Sequence, residues 1–184
     1  MVREWARQVV HLIVGLMFAL VAYIFSQQVF IVIVSTILIC GHVLVRAKYK
    51  VILRIEKLLD RDEVIRGRGA YLFFIGMLST ALLFPQQLVV SLLVLAISDS
   101  VATLVGYYYG THTLRWNPSS TYEGSLAFFV CTAGILYSIG LLALLISAII
   151  TLIESIDYDS LTYIDDNIMV PLCTGAILFG LSIL

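Results

Sequence analysis

The sequence predicts an all-α fold, a polytopic transmembrane helical bundle, and three observations predict it. Hydrophobic residues fill 61% of the 184 positions, charged residues only 12%, and a soluble domain carries roughly 25% charge. Mean hydropathy is +1.03. The apolar residues fall in long runs without strand alternation, and lipid admits only helices or closed barrels as spanning structures. The length is that of one domain, so residues 1–184 read as a single integral membrane domain. A net charge of −1 offers no global field for nucleic acid. Cys40, Cys131 and Cys173 lie scattered in apolar runs, and this odd number indicates neither a disulfide framework nor a zinc site.

A spanning helix needs about 20 mostly apolar residues, and about six segments qualify by the same criterion. The first covers 9–25, a retained span without a cleavage signature, and the second 29–45, with Ser26, Gln27 and Gln28 as the turn between them. A charged segment, 46–68, follows. In it Val51, Ile52, Ile55, Leu58 and Leu59 recur at helical spacing, which predicts a basic amphipathic helix on the cytoplasmic membrane surface. An ordinary positively charged inner loop explains most of the same charge. The third run, 70–84, stops at Pro85, Gln86 and Gln87, and the fourth covers 88–109. After a polar loop, 111–124, a long apolar stretch runs over 125–153. At about 1.5 Å per residue it exceeds one ~30 Å hydrocarbon core, so it either tilts across or folds back near Gly134 or Gly140. An acidic loop, 154–167, precedes the last run, 168–184.

Basic residues set the orientation. Eight Lys and Arg residues lie in 46–68, and Arg3, Arg7 and Arg115 fall on the same side if two spans separate each group. That side, with the N-terminus, is expected to be cytoplasmic. The 154–167 loop has neither Lys nor Arg. It faces outward if the preceding stretch crosses once and inward if that stretch folds back.

Asp99 lies well inside the fourth segment. A carboxylate at the bilayer centre costs at least ~2.5 kcal/mol on insertion scales. Either Ser98, Ser100 and Thr103 satisfy it in a polar knot, or it serves as a metal ligand or general base facing water. Gly106 and Gly110 share a helix face, a spacing that serves close helix packing or the admission of a ligand. The polar loop offers a cation, Arg115, hydroxyls at Ser119, Ser120, Thr121 and Ser125, and the carboxylate of Glu123. A helix starting near Glu123 presents free N–H groups to phosphate, and Arg matches phosphate oxygens. The same residues also read as a capping box. Asp165, Asp166 and Asn167, with Glu154, fit a metal site or an outward loop equally well. His11 and His42 read as packed polar residues.

Taken together, these residues resemble the CTP-dependent lipid kinases: dolichol kinase, phytol kinase and the CTP-using diacylglycerol kinase, which are related to phosphatidate cytidylyltransferases. The matching pieces are the opening Arg-Glu-Trp-Ala-Arg-Gln-Val-Val-His; Arg66-Gly67-Arg68-Gly69-Ala70-Tyr71 with Phe74 and Gly76; Ser98-Asp99-Ser100-Val101-Ala102 with Gly106 and Gly110; Thr121-Tyr122-Glu123-Gly124-Ser125; and Asp166-Asn167 with Val170-Pro171, preceded by Glu154. They cover most of the chain, and their order and spacing carry the resemblance. The family usually has Lys just before the Ser/Thr of the nucleotide loop. Here Ser120 stands there, and Arg115, or Arg66 and Arg68, would supply the cation.

The resemblance implies transfer of the γ-phosphoryl group of CTP to the hydroxyl of a long-chain lipid alcohol, a polyprenol, dolichol or diradylglycerol. Mg²⁺ or another divalent cation would assist. Asp99 is expected to be catalytic. Asp99, Glu123 and Asp166 are the expected metal ligands, with Glu154 and Asn167 supporting. Gly106, Gly110, Arg115, Ser119, Ser120, Thr121, Glu123, Gly124, Ser125, Arg66 and Arg68 are expected to bind nucleotide. The alternatives are a cytidylyltransferase making a CDP-activated lipid and a non-catalytic transporter or scaffold. Product analysis separates them.

Overall fold

A computed structural model describes residues 2–46, 68–158 and 164–183. The basic amphipathic segment expected over 46–68, including Arg66, lies almost wholly outside them. The described residues are mainly helical, and Thr113 and Thr121 form an isolated β-bridge. The elements are α1 (Val2–Ile24), α2 (Gln27–Arg46), α3 (Arg68–Leu83), α4 (Leu88–Leu93), a π-helical segment (Val94–Asp99), α5 (Ser100–Tyr109), α6 (Tyr122–Ile135), α7 (Leu142–Glu154) and α8 (Asp166–Ile183).

Among the described residues, three stretches suit a membrane crossing by length and composition: Glu4–Ile24, Gln27–Leu44 and Pro85–Tyr109. The remaining apolar helices are shorter. The reading of about six spanning segments therefore becomes three spans by length with four shorter apolar helices. Its largest change is in 125–153, which does not run as one helix. It breaks after Ile135, turns through Tyr137–Ile139, and reverses at Gly140, whose φ of 64° suits a residue without Cβ. α6 and α7 then pack against each other, so the chain folds back.

The third span is central and the first two are peripheral. In the most apolar stretch of Pro85–Tyr109, 56% is buried inside the bundle, against 22% for α1 and 11% for α2. The π-helical segment touches α1, α6 and α8 as well as its own neighbours. Val94, Leu95 and Ala96 are buried there, within a core that also holds Phe30, Met77, Phe128, Ile150 and Val170. Ile13, Leu20, Val32, Ile39, Leu82 and Leu145 are exposed on the outside, an apolar belt of the kind a bilayer covers.

Two close backbone approaches set the geometry around the site. A Cβ on Gly15 would lie 2.5 Å from the Ala96 Cβ, so α1 seats directly on the π-helical segment. A Cβ on Gly76 would lie 2.1 Å from the Asn167 carbonyl oxygen. That carbonyl stands one turn before Pro171 inside α8, and proline has no N–H to bond it. α3 packs against α8 across this contact.

Candidate functional site

Polar residues from α1, α3, the central span, the polar loop and the ends of α6, α7 and α8 converge onto one cavity of about 910 Å³. Asp99, the last residue of the π-helical segment, is buried and lines it. The widened π turn re-aims side chains relative to an α-helix and recurs at functional sites. His11 and Gly15 share one face of α1, a turn apart. Docking Gly15 on Ala96 therefore brings His11 against Asp99, with Nε2 3.3 Å from Oδ2. The His11 ring also packs on Phe73, centroids 4.7 Å apart. The polar knot expected around Asp99 is differently wired. The Ser98 hydroxyl accepts from Thr132 Oγ1 at 2.9 Å, and Ser100 Oγ donates to the Gln8 carbonyl at 3.4 Å. Thr103 lines the cavity.

The fold-back of α6 and α7 delivers the acidic residues. Glu154, Asp157, Asp165, Asp166 and Asn167 line the same cavity as Asp99. Asn167 Nδ2 donates to Asp165 Oδ2 at 3.0 Å, and the Asn167 backbone N–H to Asp166 Oδ1 at 2.9 Å. Burial and the neighbouring Asp166 charge push the Asp165 carboxyl up to about 6. Burial likewise pushes the Tyr158 phenol, also on the cavity wall, up to about 12. Glu154 Oε2 is buried with no hydrogen-bond partner among the described residues.

The polar loop is a small hairpin. Leu114 N–H donates to Ser120 O at 2.9 Å and Tyr122 N–H to His112 O at 2.9 Å. Asn117 Oδ1 accepts from the Ser119 backbone N–H and hydroxyl, at 3.1 and 2.6 Å, an Asx turn. Its Nδ2 donates to Ser155 O at 3.2 Å, fixing the loop to the end of α7. Thr121 caps α6, its Oγ1 accepting from Gly124 N–H at 3.1 Å, as a hydroxyl residue three before an orphan donor should.

Of the residues expected from the sequence, Arg68, Asp99, Gly106, Ser119, Ser120, Thr121, Gly124, Ser125, Glu154, Asp166 and Asn167 line the cavity. Gly106 also serves packing, since a Cβ there would lie 3.0 Å from Thr121 Oγ1 and 3.7 Å from Gly124 Cα. Gly110, Arg115 and Glu123 stand outside it. A Cβ on Gly110 would lie 2.2 Å from Gly106 O, so its smallness serves the turn that ends α5. Arg115 is exposed. Glu123 belongs to the opposite face of α6, where Thr111 Oγ1 donates to Oε1 at 2.7 Å and His112 Nδ1 lies 2.8 Å away. The difference has a helical cause. Gly124 and Ser125 face inward, and their neighbour Glu123 is rotated about 100° away at 3.6 residues per turn.

Polar lining residues outside the expected site set include Glu4, Arg7, Gln8, His11, Asn117 and Asp157, none with a strong signal of its own. His11 carried a weak one, an imidazole one turn from a guanidinium near the start of an apolar run. Arg7 Nη2 lies 2.5 Å from Glu4 Oε1.

An uncharacterized protein of Methanocaldococcus jannaschii is 33% identical over 184 residues, covering 96% of this chain and 93% of that protein. The chain belongs to that protein's family. More distant relatives are phytol kinases. The probable phytol kinase 1, chloroplastic, of Glycine max is 27% identical over 95% of this chain and 66% of its own length. Phytol kinase 1, chloroplastic, of Arabidopsis thaliana is 25% identical over 92% of this chain and 64% of its own length. The chain thus spans a little under two thirds of these plant relatives. No family model and no solved structure matches it.

Proposed function

We propose that the protein is a membrane-embedded kinase that transfers the γ-phosphoryl group of CTP to the hydroxyl of a long-chain lipid alcohol. One observation carries this reading: a single cavity joins a carboxylate-rich polar chamber to an apolar wall formed by α1, α2 and α3. The distant phytol kinases support it, since their names describe phosphorylation of such an alcohol.

Charge balance favours a neutral acceptor. Among the described residues six carboxylates line the cavity, Glu4, Asp99, Glu154, Asp157, Asp165 and Asp166, against the guanidinium groups of Arg7 and Arg68. A lipid phosphate, the acceptor of a cytidylyltransferase, would meet net repulsion there. A lipid hydroxyl would not. The excess of carboxylates and the unpartnered Glu154 oxygen fit a divalent cation. Mg²⁺ is an ion usually held by one or two carboxylates plus substrate phosphates. Asp99, Asp166, Asp165 and Glu154 are the residues to hold it. When bound, such an ion neutralises the phosphate oxygens.

In the proposed reaction the lipid hydroxyl oxygen forms a bond to the γ-phosphorus as the bond from that phosphorus to the β-bridging oxygen breaks. CDP leaves, and Asp99 takes the hydroxyl proton. Arg7 and Arg68 hold phosphate oxygens, with the Ser119, Ser120, Thr121 and Ser125 hydroxyls along the loop. The chamber faces the cytoplasm, where CTP is present. Purified protein given γ-labelled CTP, Mg²⁺ and a panel of lipid alcohols should yield labelled lipid phosphate and CDP. Pyrophosphate with a CDP-lipid would replace this reading by the cytidylyltransferase, and no product with any lipid would reject catalysis.

A further inference from the structure

The cavity is lined by the hydroxyls of Ser119, Ser120, Thr121 and Ser125. A hydroxyl carries one proton and two lone pairs, so its neighbours decide which of these it shows to a ligand. Asn117 decides it for two of the four. It lines the same cavity and is only 5% exposed. Two backbone groups fix which way its amide points. The Ser119 N–H can only donate, so the amide atom 3.1 Å from it is Oδ1. The Ser155 carbonyl can only accept, so the amide atom 3.2 Å from it is Nδ2. Oδ1 has no proton to give. The Ser119 hydroxyl, 2.6 Å away, therefore donates its own proton to the amide and keeps only lone pairs for a ligand. Nδ2 has two protons and no lone pair. The Ser120 hydroxyl, 3.1 Å away, therefore accepts, and its own proton stays free. The frame is held from behind. Trp116 Nε1 donates to Ser155 Oγ at 3.3 Å, and that hydroxyl donates to the Leu152 carbonyl at 2.8 Å. The remaining two hydroxyls behave as Ser120 does. Thr121 Oγ1 accepts from Gly124 N–H at 3.1 Å, and Ser125 Oγ is buried with no partner among the described residues.

We infer that Asn117 is a positioning residue that sorts these hydroxyls by ligand: Ser120 donates to a phosphate oxygen of the nucleotide, and Ser119 accepts from a donor on its nucleoside half. The inference rests on the kinase reading above. Ionised phosphate oxygens are acceptors, so a hydroxyl whose proton is already committed has nothing to offer them. Lone pairs suit a group that donates, here a ribose hydroxyl or the cytosine amino group. Two adjacent serines with opposite needs place the boundary between polyphosphate and nucleoside at the bond between them. Nothing in the residue types separates Ser119 from Ser120. The amide two positions before the first of them does.

The test titrates the full chain in detergent, with Mg²⁺, against CTP and against tripolyphosphate, which lacks the nucleoside. Ser120→Ala should weaken both about tenfold, the scale of one hydrogen bond to a charged group. Ser119→Ala should weaken CTP roughly threefold or more, the scale of a neutral hydrogen bond, and tripolyphosphate by less than about twofold. UTP then tells the two nucleoside donors apart. A Ser119→Ala loss that persists with UTP assigns the ribose, and one that vanishes, or a parent that does not bind UTP, assigns the cytosine amino group. Asn117→Ala should weaken tripolyphosphate in the parent and add less than about twofold in the Ser120→Ala background, because it acts through that hydroxyl. Additive losses would reduce Asn117 to loop stability. If Asn117→Ala fails to fold, the two serine variants, which keep the amide bonded to both backbone groups, decide the inference. Equal losses for CTP and tripolyphosphate in Ser119→Ala, or no loss for CTP, would overturn it. These titrations need no lipid. Absent lipid phosphorylation with the expected binding pattern would sink the kinase reading alone, and an active kinase with the wrong pattern would sink this inference alone. Binding of neither ligand also overturns it.

Discussion

The two edges of the 111–125 segment lie side by side in the sequence and end in different places. On the inner edge Ser119, Ser120, Thr121 and Ser125 line the cavity, and buried Asn117 anchors the loop to Ser155. On the outer edge Glu123 is bonded by Thr111 and close to His112, while Arg115 is exposed. The inner edge offers hydroxyls and an amide, the outer edge both charges of the segment, and only the facing of a hairpin and of one helical turn separates them. Glu154, at the far end of α7, lines the cavity that Glu123 faces away from. A charged residue in a polar loop is therefore no guide to the cavity until the loop's inner face is known.

That contrast can be broken experimentally. The largest effect is expected at the centre of the inner region. Asp99→Asn preserves shape and removes the charge, and turnover should fall by roughly 10²–10⁴, the usual contribution of a general base, with an unchanged detergent elution profile. Near-parental turnover would remove Asp99 from the chemistry.

The second effect sets the two glutamates against each other. Glu154→Gln should lower turnover tenfold or more and raise the Mg²⁺ concentration needed for half activation. Glu123→Gln should leave both within about twofold, in the range of ordinary surface changes. The reverse ranking, read from Mg²⁺ titrations of the two variants, would return the site to the outer edge.

A smaller, structural effect is expected at Gly76. An alanine Cβ there would collide with the Asn167 carbonyl, a backbone atom that cannot swing aside. Overpacking of this kind costs about 1–3 kcal/mol. Gly76→Ala should lower the thermal midpoint in detergent and weaken Mg²⁺ response together, because Asp166 moves with Asn167. Loss of stability with an intact Mg²⁺ response would uncouple that packing from the site.

The smallest effect belongs to Arg115. Arg115→Ala should shift the Kd for CTP by less than about twofold, as for exposed positions away from a ligand. A tenfold loss, measured by isothermal titration, would mean that the outer edge closes over the nucleotide.

By itself, the sequence determined the helical class, the apolar runs and the anomaly of Asp99 inside one of them. Each follows from a local quantity: the length and hydropathy of a run, or the cost of a carboxylate inside it. The resemblance added Asp166, Asn167 and the loop hydroxyls, which do reach one cavity. Only the tertiary structure decided the fold-back at Gly140, since both a tilted crossing and a hairpin satisfy the same apolar composition. It decided that His11 belongs beside Asp99, because that meeting depends on Gly15 docking against Ala96. The π-helical segment left no mark in the residue pattern, as Val-Leu-Ala-Ile-Ser-Asp suits an α-helix equally well. That Glu154 lines the cavity and Glu123 does not has the same origin. Sequence fixes where a side chain attaches along the chain, and the direction it faces is set by how neighbouring helices pack.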